Sequence, residues 1–153
     1  MNVRRVVGAG LIASIVMGMI EMMYEAVAGA GFWSPVVFIG ATVVRGLQSV
    51  QVPVPFDPAG VVLGLMGHMM NSVILGLIFT KLFAGSRGAL PARGVIYGLV
   101  VFGVMWFGVV PLVDPVMLKL NAAVFAISHI IWGAVLGLLV PHASGASAGL
   151  QGA

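Results

Sequence analysis

Between Asp57 and Lys81 the chain runs for 23 residues, Pro58 to Thr80, without one Asp, Glu, Lys or Arg. A helix needs about 20 predominantly apolar residues to cross a bilayer, and a helix that is apolar all round has to be buried in a core or in lipid. Three further stretches read the same way. Val6 to Ile20 is uncharged and continues past Glu21 and Glu25 to about Ala30; Gly94 to Val113 is uncharged; and nothing from Leu120 onward carries a formal charge, Asn121 to Val140 being its apolar part. The runs predict four spans, near 6–30, 58–83, 92–113 and 121–140. They form one transmembrane domain over 1–142, followed by a flexible Gly/Ala/Ser tail over 143–153. The fold class expected is all-α, an integral membrane four-helix bundle.

Composition excludes the other classes. The chain is 61% hydrophobic and 7% charged, where a soluble domain is about 45–50% and 25%. A soluble enzyme, a nucleic-acid module and a disordered chain are ruled out. The net charge of +3 comes from seven scattered cations and makes no basic patch, so the partner is the lipid bilayer and not nucleic acid. With no cysteine, disulfides, Cys-zinc sites and thiolate chemistry are absent.

Boundary signals sharpen the ends. Asp57-Pro58 puts a capping carboxylate before a proline in the first helical turn. Pro91 does the same for the third span, Asn121 can cap the fourth and Pro141 stop it, and Asp114-Pro115 reads as the cap of a short helix over 115–119. In the long insert 31–57, Ser34-Pro35 opens a helix near 34–48. At about 20 Å it is too short to cross comfortably and is expected to be interfacial or re-entrant. With four spans, Arg4, Arg5, Lys81, Arg87 and Arg93 share one face and Arg45 and Lys119 the other. That bias makes the first face cytoplasmic, in a bacterial inner membrane with both termini inside. Arg4 and Arg5 before an apolar run resemble a signal peptide, but the run continues through acidic residues without a convincing cleavage site, so it is read as a retained span.

Two doubled motifs suggest an internal repeat. His68-x6-Leu75-Gly76-Leu77 matches His129-x6-Leu136-Gly137-Leu138, and Arg5-x4-Gly10-Leu11-x4-Val16-Met17 matches Arg93-x4-Gly98-Leu99-x4-Val104-Met105. The expectation is a tandem (2+2) parallel repeat of helical hairpins about an axis along the membrane normal. The small-xxx-small pairs Gly60/Gly64, Gly94/Gly98 and Gly133/Gly137 predict close helix packing, inside one bundle or across a homo-oligomer or membrane-complex interface.

Polar residues at membrane depth are costly and mark candidate sites. Counting residues from the span ends puts Glu21, His68 and His129 about 12–15 Å below one surface. Glu25 and Asn71 lie a turn away, with Ser128 and Tyr24 close by. Span one carries a buried-face stripe of Gly10, Ser14, Met17, Gly18, Glu21 and Glu25. Two histidines on facing helices can ligate haem b axially; His68 and His129 with a carboxylate can hold a transition metal; Glu21 and a histidine can relay protons. The plainest reading is that Glu21 hydrogen-bonds a histidine and sets helix register. Met17, Met19, Met22, Met23, Met66, Met69 and Met70 bracket this level; thioethers suit Cu(I), but the set reads as gap-filling core, with some of the four on span one facing lipid. Trp33 suits an interfacial anchor, and His142 is expected to be exposed.

Gly67-His68, Arg93-Gly94-Val95-Ile96-Tyr97-Gly98 and Ser128-His129-x3-Gly133-x3-Gly137 together give the chain a family look. Over roughly 60–140 it resembles small uncharacterised bacterial four-span inner-membrane proteins with a histidine in spans two and four and R-G-x-x-Y-G opening span three. The resemblance implies an inner-membrane bundle and no activity. The function expected is a non-enzymatic membrane protein, a candidate subunit of a membrane complex, with a Glu/His/His site in its outer half. The alternatives are a bis-histidine haem carrier and a small ion, proton or metal transporter.

Overall fold

A computed structural model describes residues 2–83 and 90–140. The tail 143–153, His142, Pro141 and Arg87 lie outside the described residues. The Asn2 side chain accepts the Arg5 N–H at 3.4 Å and starts α1 (Val3–Ala28). The helix ends before residue 30 because Gly29 and Gly31 take positive φ, 94° and 103°, and both donate their N–H to the Glu25 carbonyl. That is the left-handed termination glycine permits at no steric cost.

The insert folds back over this end. α2 (Ser34–Gly40) is shorter than the expected 34–48: the chain turns after Gly40, and a 3-10 turn, Arg45–Ser49, follows. Thr42, Val43 and Val44 are β-branched and Gly46 is flexible, a stretch with poor helix propensity, and the Gln48 side chain donates to the Ala41 carbonyl at 3.2 Å. α2 is buried on nearly every side.

Asp57 caps α3 (Pro58–Phe83), its Oδ1 accepting the Gly60 N–H at 2.6 Å. The third span, Leu90–Val113, begins as α4 (Leu90–Val104), loosens into a π turn over Met105–Val109 and ends as α5 (Val110–Val113). Pro111 explains the loosening, since it has no N–H for the carbonyl four residues back and its ring crowds that carbonyl. A 3-10 turn, Pro115–Lys119, leads to α6 (Ala122–Leu139), whose first N–H groups are taken by the Asn121 side chain at 3.0 and 3.2 Å. The described residues thus contain four helices long and apolar enough to cross a membrane, as in a multi-pass membrane protein. Side chains such as Ile12, Met66, Val100 and Leu138 are exposed on their outer faces and meet lipid.

Neighbours are set by glycine. α4 lies against α6 along a seam where a Cβ on Gly94 would overlap the Gly133 carbonyl oxygen, and one on Gly98 would overlap that of His129. Gly133 and Gly137 face Gly94 and Leu90 just as closely. α2 seats on α3 in the same manner, with Gly64 against the Val36 carbonyl and Gly60 against Gly40. All six glycines predicted for packing therefore meet partners within the chain. α1 packs on both α3 and α6, whereas α3 and α4 scarcely touch. Two hydrophobic clusters result. One gathers α2, the loops and the adjoining helix ends around Phe38, Val110 and Phe125; the other sits around Phe79, Trp132 and Leu136.

This seam makes a direct prediction. Gly133→Ala puts a methyl group into backbone that cannot swing aside, so α4 and α6 must part, and overpacking of this kind costs about 1–3 kcal/mol or more. Gly103→Ala, on α4 with nothing within 4 Å of the new methyl, should leave thermal unfolding in detergent unchanged or slightly raised. Equal behaviour of the two variants would refute the seam.

Candidate functional site

The gap between α3 and α4 is the mouth of a cavity of about 180 Å³. Glu21, His68, Asn71 and His129 all line it, with Phe125 and Trp132 in the same wall and Thr42 and Asp114 at the end that carries the loops. The cavity is lined from both hydrophobic clusters: Phe125 belongs to one, Met17, Val101 and Trp132 to the other, and Met105 packs against both. The four predicted residues thus share one space. Glu25 does not line it; that buried carboxylate accepts the Asn121 backbone N–H at 3.4 Å, while Asn121 also donates to the Tyr24 hydroxyl at 2.9 Å. Of the methionines bracketing this level, Met17 lines the cavity and Met22 is buried nearby, whereas Met19, Met23, Met66 and Met70 are exposed.

The hydrogen bonds differ from the expected Glu–His pairing. His68 Nε2 donates to the Ser14 carbonyl across the α1–α3 contact at 3.0 Å. His129 Nδ1 donates to the Phe125 carbonyl one turn back on its own helix, at 2.7 Å. A ring nitrogen that close to a carbonyl oxygen has to carry the proton, so the two neutral imidazoles hold opposite tautomers. Glu21 finds a partner in Ser128, whose hydroxyl donates to Glu21 Oε1. Ser128 Oγ is also 3.0 Å from the Phe125 oxygen, but that oxygen already takes the His129 proton, which leaves the Ser128 proton for Glu21. Among the described residues no hydrogen bond joins Glu21 to either histidine. Depth alone could not tell serine from histidine as the partner, because residues 128 and 129 sit at nearly the same level and differ in where they point around α6.

A second network lies below. Trp132 Nε1 donates to Ser72 Oγ at 2.7 Å, and Ser72 Oγ donates to the Gly10 carbonyl at 2.7 Å, tying α6, α3 and α1 together. Sequence reading missed Ser72 as a site residue; its signal was a serine one helical turn beyond His68. Tyr97 bridges the otherwise open side, its hydroxyl donating to the Leu75 carbonyl at 3.0 Å. Its ring lies 5.3 Å from that of Phe79 and 5.9 Å from that of Trp132. Of these three rings only that of Trp132 lines the cavity.

Asp114 organises the loop end. It does not cap the turn that follows, as the sequence suggested. Its side chain, 4% exposed, accepts from the Thr42 hydroxyl at 2.9 Å and from the Gln48 amide. Gln48 Oε1 in turn takes the Val116 N–H at 3.3 Å, and Arg45 donates to the Val113 carbonyl at 3.0 Å. The two loops are clasped by the Asp114 carboxyl and by these bonds, together with that from the Lys119 ammonium to the Val50 carbonyl at 2.6 Å.

Burial pushes the Asp114 carboxyl above the usual carboxylate range, against the hydrogen bonds from Gln48 and Thr42 and the Arg45 charge, which pull it down. A carboxyl whose pKa rises on folding takes up protons as the chain folds. Its contribution to stability is full below the unfolded value and is lost as pH rises through the folded one. Asp114→Asn keeps an acceptor for Gln48 and removes the titration, so it should unfold at a higher temperature than the wild type near about pH 8 and converge with it toward about pH 4. Asp114→Ala strands Gln48 and Thr42 and should cost about 1–3 kcal/mol at either pH. At membrane depth, a double-mutant cycle of Glu21→Ala and Ser128→Ala should show coupling of about 0.6–1.7 kcal/mol, the range of polar pairs between membrane helices. A cycle of Glu21→Ala with His68→Ala should be near additive.

The arrangement of donor atoms limits what the cavity can hold. Among the described residues no group of three His, Asp or Glu is gathered around a common point for a metal ion. No family model matches the chain, and no curated protein or solved structure matches it either.

Proposed function

We propose that the chain is a non-enzymatic multi-pass protein of the bacterial inner membrane, a candidate component of a membrane complex, that works by holding a small ligand in the cavity between α3 and α4. One observation carries this reading: Glu21, His68, Asn71 and His129, from three helices, converge on a single cavity at membrane depth. Glu21 and His129 are buried, and burying such groups at membrane depth has a cost that purely structural packing would avoid by using apolar residues. Binding is favoured over conduction because Tyr97, Phe79 and Trp132 pack together beyond the cavity, ring against ring, on the side away from the loops.

A bis-histidine haem is less well supported. The His68 nitrogen without a partner is Nδ1, which lies next to its own helix backbone, so a flat macrocycle ligated there would run into α3. A 2+2 origin rests on the doubled sequence motifs and on α1 packing on α3 and α4 on α6; the two histidines do not occupy equivalent bonds, one donating across helices and the other within its own. The charge bias supports an orientation with Arg4, Arg5, Lys81 and Arg93 on the cytoplasmic side and the loops outside.

Because the chain has no cysteine, access can be read directly. Asn71→Cys should react in intact cells with a membrane-impermeant thiol reagent entering through the cavity, while Val100→Cys, exposed to lipid on α4, should stay silent. Silence at position 71 in intact cells and in inside-out vesicles would overturn the binding-cavity reading; reaction in inside-out vesicles alone would reverse the orientation.

A further inference from the structure

The ligand's chemistry can be read from where the protons around the cavity go. The Thr42 hydroxyl donates to Asp114, the Ser72 hydroxyl to the Gly10 carbonyl, the Trp132 N–H to Ser72, and the two imidazole protons to the carbonyls of Ser14 and Phe125. Every one of these donors is spent on the protein. A side-chain hydroxyl has one proton, a neutral imidazole one and an indole one, so these groups have none left for a ligand. What remains on them and on Glu21 is lone pairs: His68 Nδ1, His129 Nε2 and Glu21 Oε2. Asn71, whose amide makes no hydrogen bond among the described residues, is the one uncommitted donor in that wall. Among the described residues no lysine or arginine lines the cavity, and its two acidic residues are Glu21 and Asp114.

Such a wall rejects anions. A carboxylate or phosphate would bring more acceptors to face acceptors in a low-dielectric space, where an unmade hydrogen bond is costly. It suits a group that arrives with protons of its own. The Phe125 ring, 4.4 Å from that of His129, is an aromatic neighbour of the kind that favours a cation. A bare metal ion fits less well, since it needs several ligands converging on one point, and the described residues offer no such point; an organic ammonium needs only acceptors spread around it and an apolar wall for its carbon body. Resting on the reading of the cavity as a binding site, we infer that its ligand is a small protonated amine with an apolar substituent, its ammonium toward Glu21, His68 and His129 and its apolar part toward the Val101–Trp132 side.

The test uses the purified full-length chain and three probes of one shape: benzylamine, benzyl alcohol and benzoate. Isothermal titration should show benzylamine binding at least tenfold more tightly than benzoate, with benzyl alcohol between them. Glu21→Gln keeps the acceptor for Ser128 but turns an amide donor toward the cavity, and should cut the benzylamine preference at least threefold. His129→Phe should do the same by removing the Nε2 lone pair. Should either variant fail to fold, the wild-type order of the three probes still decides. Benzoate binding as tightly as benzylamine would overturn the inference while leaving the cavity standing, since entry is read separately at Asn71→Cys. No binding by any probe, with position 71 reactive, would overturn the ligand class as well. Repeating the titration in nanodiscs of phosphatidylethanolamine and of phosphatidylglycerol identifies the source of the ammonium. Weaker benzylamine binding in the first alone supports a lipid headgroup, and equal binding supports a free amine.

Discussion

A polar hydrogen at membrane depth has no water to bind, and the structure gives most of the bonded ones to backbone carbonyls, while the Ser14 hydroxyl is buried without a partner among the described residues. The side chains of Thr80, Tyr97, Ser72, His68 and His129 donate in turn to the carbonyls of Gly76, Leu75, Gly10, Ser14 and Phe125. A helical carbonyl keeps a second lone pair after its own helix bond, so it is the acceptor always within reach in a bundle with few polar side chains. The result runs in one direction. Donors are consumed, acceptors on the same side chains are left over, and the cavity they line is rich in lone pairs. Its chemical bias follows from how a membrane bundle satisfies itself.

The cavity owes its existence to an imbalance in packing. Glycine lets α4 approach α6 until backbone meets backbone, and Gly10 lets α3 approach α1, where a Cβ would stand 3.1 Å from Val73 Cα. With α1 and α6 also in contact, these three interfaces fix four helices in a row that leaves α3 and α4 apart. α2 then covers α3 near the loops, and its Ile39 reaches the wall of the cavity there. The π turn before Pro111 lies on the helix that forms the other lip, so the mouth is bordered by a segment whose helical ladder is already interrupted.

Much of this was legible in the sequence, and the failures have a common cause. The four long helices follow from uncharged runs, and the caps Asp57 and Asn121 follow from side-chain chemistry that acts within a few residues. The stripe on α1 is buried as its spacing predicts, at Gly10, Ser14, Met17, Glu21 and Glu25. These are local or axial properties. What was missed depends on rotation of one helix about its axis relative to another. Depth counting places Glu21 level with both histidines, but only azimuth decides that Ser128 reaches the carboxyl while His129 turns to Phe125. The same holds for Asp114, where Asp-Pro reads as a cap locally and a fold that brings residues 41–50 against 113–119 makes it a clasp. The insert was overextended because proline marks where a helix can open, whereas its end here is set by a weak β-branched stretch and a side chain from a later turn.

The clasp and the cavity are mechanically related. Thr42 and Asp114 line the cavity at its loop end and are also bonded to each other. The first loop is anchored to the end of α1 through the Val54 N–H on the Ala30 carbonyl at 2.7 Å. The second is continuous with both helices of the α4–α6 seam. The clasp therefore holds together the two halves of the bundle that the cavity separates, at the one end where the loops can reach across. At the opposite end the Tyr97 hydroxyl performs the same service from α4 to α3. Between these two ties the walls are joined by no hydrogen bond among the described residues. A ligand of the proposed kind would therefore enter at the middle of the gap, beside His68 and Asn71, without breaking either tie.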